Sequence, residues 1–268
     1  MRQKVLKPFL KWAGGKRWLL ERGQFTLPGY TGRYIEPFLG GGAVFFANQP
    51  KNAILSDSNK RLIETFIVIR DGLEEFEALF KKHAESHSQE YYYELRSKRL
   101  RRPVMRAAQF LYLNRTCWNG LYRENLKGQF NVPIGTKQVV IFETDDFPAW
   151  SRALQGVRLE HRDFEDTINE AKEGDFVFAD PPYTVRHNMN GFVKYNQNIF
   201  SWSDQIRLRD VLKRASERGV SFAMTNADHE SIRELYSGFG KHQQLERNSV
   251  IAGKSAYRGP STELLVTV

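Results

Sequence analysis

One cysteine, Cys117, is the only thiol in 268 residues. No disulfide can close within the chain, and the composition suits a reducing compartment rather than a stapled secreted fold. Long apolar runs are missing too. No stretch approaches the roughly 20 residues of a membrane-spanning helix, so no membrane partner is expected. Residues 1–10 lack the apolar centre of a secretory signal. No internal repeat is present, which excludes a repeat array, and no low-complexity segment marks a long tail. Acidic residues are in short supply: 31 Asp and Glu stand against 40 Lys and Arg, giving a net charge of +9. That excess favours a polyanionic partner. What the chain does have is a hydrophobic fraction of 41%, enough for one large domain or a main domain with an insertion.

The pattern is centred on Asp175-Phe176-Val177-Phe178-Ala179, which is apolar on both faces and so reads as a central strand. Asp180-Pro181-Pro182-Tyr183 follows at once. A proline pair cannot continue a ladder, and ligands of open α/β sheets bind at the carboxyl ends of strands. A carboxylate, a rigid kink and an aromatic ring therefore reach the expected active edge together. Further apolar strands are expected at Tyr34–Glu36, Ala53–Asp57, 157–160, 220–225, 241–251 and 263–268. Gly40-Gly41-Gly42 joins the first of these to a helix beginning at Ala43, as in a nucleoside-binding crossover. Asp57 ends the second strand at a position suited to ribose hydroxyls or to capping the next helix. Gly14-Gly15-Lys16 suits a phosphate loop or a tight turn before a helix at 17–22, and the Walker spacing is absent.

Residues 61–145 differ in character. Apolar residues recur at helical spacing over 62–69, 73–80 and 104–113. Between Arg96 and Lys127 nine Lys or Arg accompany a single acid, Glu124. The run leads into Asn114-Arg115-Thr116-Cys117-Trp118-Asn119-Gly120-Leu121-Tyr122-Arg123, where amides and aromatics interleave with arginines. Those residue types contact phosphates and base edges, so this reads as a mainly helical insertion adapted to nucleic acid. Residues 130–135 close it as a turn or hairpin. Beyond it, a turn at Arg162-Asp163-Phe164 precedes a helix at 166–171, residues 184–202 form a long loop, and 204–218 an amphipathic helix. A loop at 252–260 joins the last two strands.

Pro8-Phe9-Leu10-Lys11-Trp12-Ala13-Gly14-Gly15-Lys16, Glu36-Pro37-Phe38-Leu39-Gly40-Gly41-Gly42 and Asp180-Pro181-Pro182-Tyr183 together resemble the Dam-type DNA adenine-N6 methyltransferases. The segment from Asn119 to Pro133 is similar to that family's target-recognition segment, and the resemblance spans nearly the whole chain. It implies a Rossmann-like α/β methyltransferase fold with a mainly helical recognition insertion. A catalytic domain would comprise residues 1–60 and 146–268, and a recognition domain 61–145. The implied cofactor is S-adenosylmethionine, with S-adenosylhomocysteine as product, and the implied partner is double-stranded DNA. The resemblance assigns Trp12, Lys16, Phe38, Gly40, Asp57, Asp163, Phe164 and Asp180 to the cofactor. Asp180, Pro181, Pro182 and Tyr183 become catalytic. Lys11, Trp118, Asn119, Leu121, Arg123 and Pro133 become DNA contacts, Trp118 as a wedge where family members often carry Tyr. No metal and no obligate protein partner is implied. A monomer acting in the cytoplasm on bacterial or phage-host DNA is expected.

This implies methyl transfer to N6 of a flipped-out adenine, with GATC the favoured site. A cytosine-N4 or RNA methyltransferase is a rival within the same chemistry. Asp rather than Ser at position 180 favours adenine. A DNA-binding relative without catalysis would leave the intact Asp57 and Asp180–Tyr183 motif unexplained. A nicotinamide oxidoreductase would leave the basic insertion unexplained.

Overall fold

The computed structural model describes residues 5–125, 128–186, 200–248 and 260–268. In chain order its elements begin with α1 (Arg17–Glu21), β1 (Tyr34–Glu36), α2 (Ala43–Asn48), β2 (Ala53–Asp57), α3 (Lys60–Asp71), α4 (Leu73–Glu85), α5 (Gln89–Ser97) and α6 (Pro103–Thr116). After a short 3-10 turn at Trp118–Gly120 come α7 (Phe147–Leu154), β3 (Arg158–His161), α8 (Phe164–Asn169) and β4 (Phe176–Ala179). The chain ends with α9 (Trp202–Glu217), β5 (Ser221–Ala227), α10 (Glu230–Leu235), β6 (Lys241–Asn248) and β7 (Pro260–Thr267). Two compact units result. One comprises the chain up to Arg17, Gly40–Lys51 and Asn59–His161; the other comprises Trp18–Leu39, Asn52–Ser58 and the chain from Arg162 onward.

The second unit carries strands in the order β2-β1-β4-β5-β7-β6. The first four run parallel, and β7 is antiparallel to both β5 and β6. All of β4 is buried, as its unbroken apolar run requires of a strand covered on both faces. Helices α8, α9 and α10 pack Ile168, Leu208, Leu212 and Ile232 into the core against Val177, Met224 and Val266. Local signals set the helix starts. Ser201 and Asp204 form a reciprocal capping box on α9, which therefore begins at Trp202, ahead of the expected 204. Asp163 caps α8 and moves its start to Phe164. The short α10 had no separate sequence signal. Most of the 184–202 loop, and the 252–259 part of the loop before the last strand, lie outside the described residues.

At the amino ends of β1 and β4 one carboxylate fixes the register. Asp175 accepts from the Arg33 amide at 2.6 Å, from Arg33 Nη2 at 2.7 Å, from Arg33 Nε at 3.1 Å and from the Lys172 amide at 2.9 Å. Gly32 must be glycine for the same reason, since a Cβ there would lie 2.3 Å from Asp175 Oδ1.

The first unit is mainly helical. Every residue of α6 from Ala107 to Thr116 is buried, the mark of a central helix rather than a surface one. It packs against α3 and α4. Asn59 caps α3 by accepting from the Leu62 amide at 3.1 Å, so the capping role considered for Asp57 falls to Asn59. Two helices were not expected. α5 is capped by Ser88, and α7 is capped by Asp146 with proline in its first turn. The basic stretch at 98–102 is the connection between α5 and α6 and not a helix face. Arg102 and Arg106 pair with Glu75 and Glu64.

Asp175 gives the fold a pH dependence. Burial pushes its carboxyl up, but the hydrogen bonds from Arg33 and Lys172 outweigh burial and hold it below its ordinary value. A depressed folded-state value stabilises the protein above the unfolded carboxylate range, near about pH 3.9. That contribution is lost as pH falls through the folded value. Asp175→Asn should cost about 2 kcal/mol at neutral pH and flatten the loss of stability between roughly pH 5 and pH 2. Urea unfolding of both proteins across that range checks it; equal slopes would overturn it.

Candidate active site

The parallel strands of the second unit direct their carboxyl ends to one edge. Chain order reverses between β1 and β4, since β2 lies on the far side of β1 and β5 on the far side of β4. Ligands of open α/β sheets sit in the crevice at that switch point. Asp180 leaves β4 there. β4 stops at Ala179, opposite Met224, while β5 continues through Thr225, Asn226 and Ala227. Thr225 Oγ1 donates to Asp180 Oδ1 at 2.7 Å and is itself fully buried. Pro181 and Pro182 supply carbonyls but no N–H donors, so no amide from either competes for the carboxylate.

Tyr183 is half-buried, and its hydroxyl donates to Glu263 Oε2 at 2.6 Å. Burial, followed by the charges of Asp180 and Glu263, raises the phenol well above its ordinary value, so it stays protonated. Glu263 is 4% exposed and lies on β7 opposite Ala227. The next residue is pinned as well. Thr184 donates to the Phe200 carbonyl at 2.6 Å, and its own carbonyl accepts from buried Gln205 at 3.2 Å. Sequence reasoning missed Thr225 and Glu263. Each sits within an apolar strand pattern, and only strand register shows which edge it reaches.

The other expected residues of this unit group by chemistry. Phe38, just beyond β1, stacks on Phe164 with ring centroids 5.2 Å apart and meets Phe200 edge-on at 5.6 Å. Asp57 closes β2, and its carbonyl accepts from the Arg162 amide at 3.2 Å. Asp163 Oδ1 accepts from the Glu165 amide and from Arg207 Nη2, both at 2.9 Å. Arg207 also lies over the Phe164 ring at 4.8 Å.

In the first unit two buried residues at the end of α6 hold the motif segment near the start of the chain. Asn114 accepts from the Lys11 amide at 3.0 Å and donates to the Lys11 carbonyl at 2.8 Å. Arg115 donates to the Phe9 carbonyl at 3.0 Å and forms a two-pronged pair with Asp145. At 3% exposure, Arg115 is a structural arginine and not the phosphate contact that the basic run suggested. Trp12 stacks on Tyr122 at 5.6 Å, and Phe110 lies against both rings, 5.0 Å from Tyr122 and 6.4 Å from Trp12. Gly40 lies against Trp12. Lys16 is buried and donates to the Gly14 carbonyl at 2.7 Å, consistent with a structural turn at Gly14-Gly15.

The recognition candidates other than Lys11 share one hairpin. The Gly135 amide bonds the Thr116 carbonyl at 2.7 Å, the Trp118 amide bonds the Pro133 carbonyl at 2.9 Å, and the Asn131 amide bonds the Arg123 carbonyl at 3.1 Å. Asn119 and Gly120 both take left-handed backbone, φ 55° and 64°, and Trp118 is left 53% exposed. Arg123 donates through Nε to Asn131 Oδ1 at 2.8 Å. Lys11 packs on Gly120, where a Cβ would come within 2.4 Å of its Cδ. Burial, reinforced by Lys137, lowers the ammonium of Lys11 from its ordinary value. Burial pushes the Cys117 thiol up to about 11, so it is no nucleophile. Leu126 and Lys127, within the recognition segment, lie outside the described residues.

The family model for D12 class N6 adenine-specific DNA methyltransferases matches residues 12–250. The chain is 38% identical to the type II methyltransferase M1.LlaDCHI of Lactococcus lactis subsp. cremoris, over 98% of this chain and 95% of that one. It is 34% identical to a DNA adenine methylase of Haemophilus influenzae, over 87% and 83% of the two chains. The DNA adenine methylase of Escherichia coli K12 is 31% identical, over 91% and 89%.

Gly40 has φ +49°, and a Cβ there would meet Trp12 Cδ1 at 2.8 Å. Gly40→Ala should therefore cost about 1–3 kcal/mol and shift tryptophan emission as Trp12 is displaced. Gly29 has open space and no such φ, so Gly29→Ala should stay within about 0.5 kcal/mol of the parent. Thermal unfolding with emission spectra compares the two; equal behaviour would remove the steric argument.

Proposed function

Because the chain belongs to the D12 class of N6 adenine-specific DNA methyltransferases, we propose that it methylates N6 of a flipped-out adenine in double-stranded DNA, within GATC. The family implies a DNA substrate and S-adenosylmethionine as methyl donor. The observation that carries the reading is Asp180-Pro181-Pro182-Tyr183 leaving β4 at the switch point, with Thr225 bonded to the Asp180 carboxylate.

The donor set fits that cofactor. Asp57 ends β2 with a carboxylate suited to ribose hydroxyls. The Phe38–Phe164 stack offers aromatic surface, and Asp163 can accept from an adenine amine. Trp12, Lys16 and Gly40 are proposed for the cofactor as well. When bound, it supplies an electrophilic methyl group on a sulfonium and departs as a neutral thioether.

The protein's own residues prepare the amine. The N6 lone pair is delocalised into the adenine ring and is a poor nucleophile. Asp180 and the Pro181 carbonyl can each accept one N6 hydrogen, which draws the nitrogen towards tetrahedral geometry and frees its lone pair. Thr225 fixes the carboxylate beforehand, so little reorganisation remains for the transition state. The Tyr183 ring stacks on the extruded base and replaces part of its lost stacking. Flipping is required because N6 cannot be reached inside a duplex. We assign residues 1–60 and 146–268 to catalysis and 61–145 to target recognition. There Trp118 acts as wedge and Leu121 and Arg123 contact the bases, with Asn119 and Pro133 nearby; Lys11, from the catalytic portion, makes a further base contact. Arg123 is held by Nε, the nitrogen that a bidentate contact to guanine through its Nη pair does not use.

Asp180→Ala should bind cofactor and DNA within about tenfold of the parent and lose methyl transfer by at least about 100-fold. Labelled-methyl transfer into DNA measures it, and near-normal turnover would remove Asp180 from its role. Arg123→Ala should narrow the lead of GATC over singly substituted duplexes, since a guanine contact discriminates by about 1–3 kcal/mol. Arg99 and Arg101 lie exposed in the α5–α6 connection. Changing both to Ala should weaken all duplexes alike and flatten the salt dependence. A uniform loss from Arg123→Ala would make it a backbone contact.

A further inference from the structure

The proposed chemistry places Tyr183 against the extruded base but does not say what fixes its ring. A tyrosine ring turns freely about two side-chain bonds unless packing or its hydroxyl restrains it. Here the hydroxyl is restrained. It donates to Glu263 Oε2 at 2.6 Å, and a phenol has only one hydrogen to donate. Glu263 is 4% exposed, and a carboxylate buried to that degree needs strong donors. Glu263 is also held by its backbone, since β7 pairs with β5 through Asn226↔Leu264 and Ala227↔Glu263 on one side and with β6 on the other. The acceptor is therefore fixed by the sheet, whereas Tyr183 lies on a segment that has left the sheet after two prolines.

We propose that Glu263 is a further positioning residue of the methyl-transfer site. Through the Tyr183 hydroxyl it sets the plane of the ring that receives the target adenine. It touches neither base nor cofactor. Its partner on the same edge is Thr225, which lies on β5 and holds Asp180 by a 2.7 Å hydrogen bond. Adjacent strands thus hold the tetrapeptide together: β5 fixes the carboxylate through Thr225, whose hydroxyl also reaches Tyr183, and β7 accepts the hydrogen of the ring hydroxyl. This assignment rests on the reading that Asp180-Pro181-Pro182-Tyr183 is catalytic.

Three variants and one combination test it: Tyr183→Phe, Glu263→Ala, Glu263→Gln, and Tyr183→Phe with Glu263→Ala. Each is measured for kcat, for KM of cofactor and DNA, and for 2-aminopurine fluorescence at the target position of a duplex. Tyr183→Phe keeps the ring and loses the hydroxyl, with its bond to Glu263 and its contact with Thr225, so it should lower kcat about 10- to 100-fold, as a small misplacement of a reacting group does. Cofactor KM should stay within about twofold. Glu263→Ala should match it, and the combination should lose little more, because both changes cut one interaction. Glu263→Gln retains an acceptor oxygen and should recover most of kcat. The flipped-base signal should change in Tyr183→Phe and Glu263→Ala and return in Glu263→Gln. Multiplying losses in the combination, or a Tyr183→Phe enzyme with unchanged kcat and flipped-base signal, would overturn the proposal. Should Glu263→Ala fail to fold, Tyr183→Phe and Glu263→Gln still decide it. A wild-type protein that methylates no DNA would instead sink the functional reading on which the proposal rests.

Discussion

The edge proposed for catalysis depends on one constraint, the point at which β4 can no longer pair. Pro181 and Pro182 have no amide hydrogens, so the strand ends at Ala179 while its neighbour β5 runs on to Ala227. The overhang of β5 has two consequences. Its Thr225 faces the departing chain and bonds Asp180. Its last residues pair with β7, which enters from the opposite direction and brings Glu263 to the same edge. A longer β4 would occupy the place where the tetrapeptide turns away. The position of the carboxylate is thus a product of backbone hydrogen bonding before it is a matter of side-chain chemistry.

The opposite end of the same strand is held by charge. Asp175 gathers its donors from Arg33 and Lys172, and Arg33 reaches Glu170 as well. Breaking such a partly buried arrangement leaves a charge without its partner and is costly. β4 is therefore fixed in register at its start and stopped by imino acids at its finish. Four buried residues lie between, and they leave Asp180-Pro181-Pro182-Tyr183 little freedom to shift along the strand.

In the first unit α6 has an analogous role by different means. It is buried throughout its second half, and its last turn carries polar residues whose partners are backbone atoms of a distant segment. Asn114 takes both backbone polar atoms of Lys11, and Arg115 takes the Phe9 carbonyl. The hairpin proposed for recognition begins directly after this turn. One helix end thereby orders the segment carrying Lys11 and Trp12 and the hairpin carrying Trp118 and Arg123. The basic charge of the region is less available than the composition suggests, because Arg102, Arg106 and Arg115 already pair with Glu75, Glu64 and Asp145.

Much of this was legible in the order of residues. The unbroken apolar run before two prolines identified β4 and the edge where it ends, because a strand buried on both faces has no polar face to show. The glycine turn after β1, the acid ending β2 and the amphipathic α9 were equally plain, since turn chemistry and periodicity act locally. The sequence did not reveal that residues 98–102 connect two helices, that Asn59 rather than Asp57 caps α3, or that Arg115 is buried. It also gave no sign of Thr225 and Glu263 as partners of the tetrapeptide. Threonine and glutamate in apolar strands look alike wherever they fall. Only strand register, set by hydrogen bonds between segments far apart in the chain, brings these two to Asp180 and Tyr183.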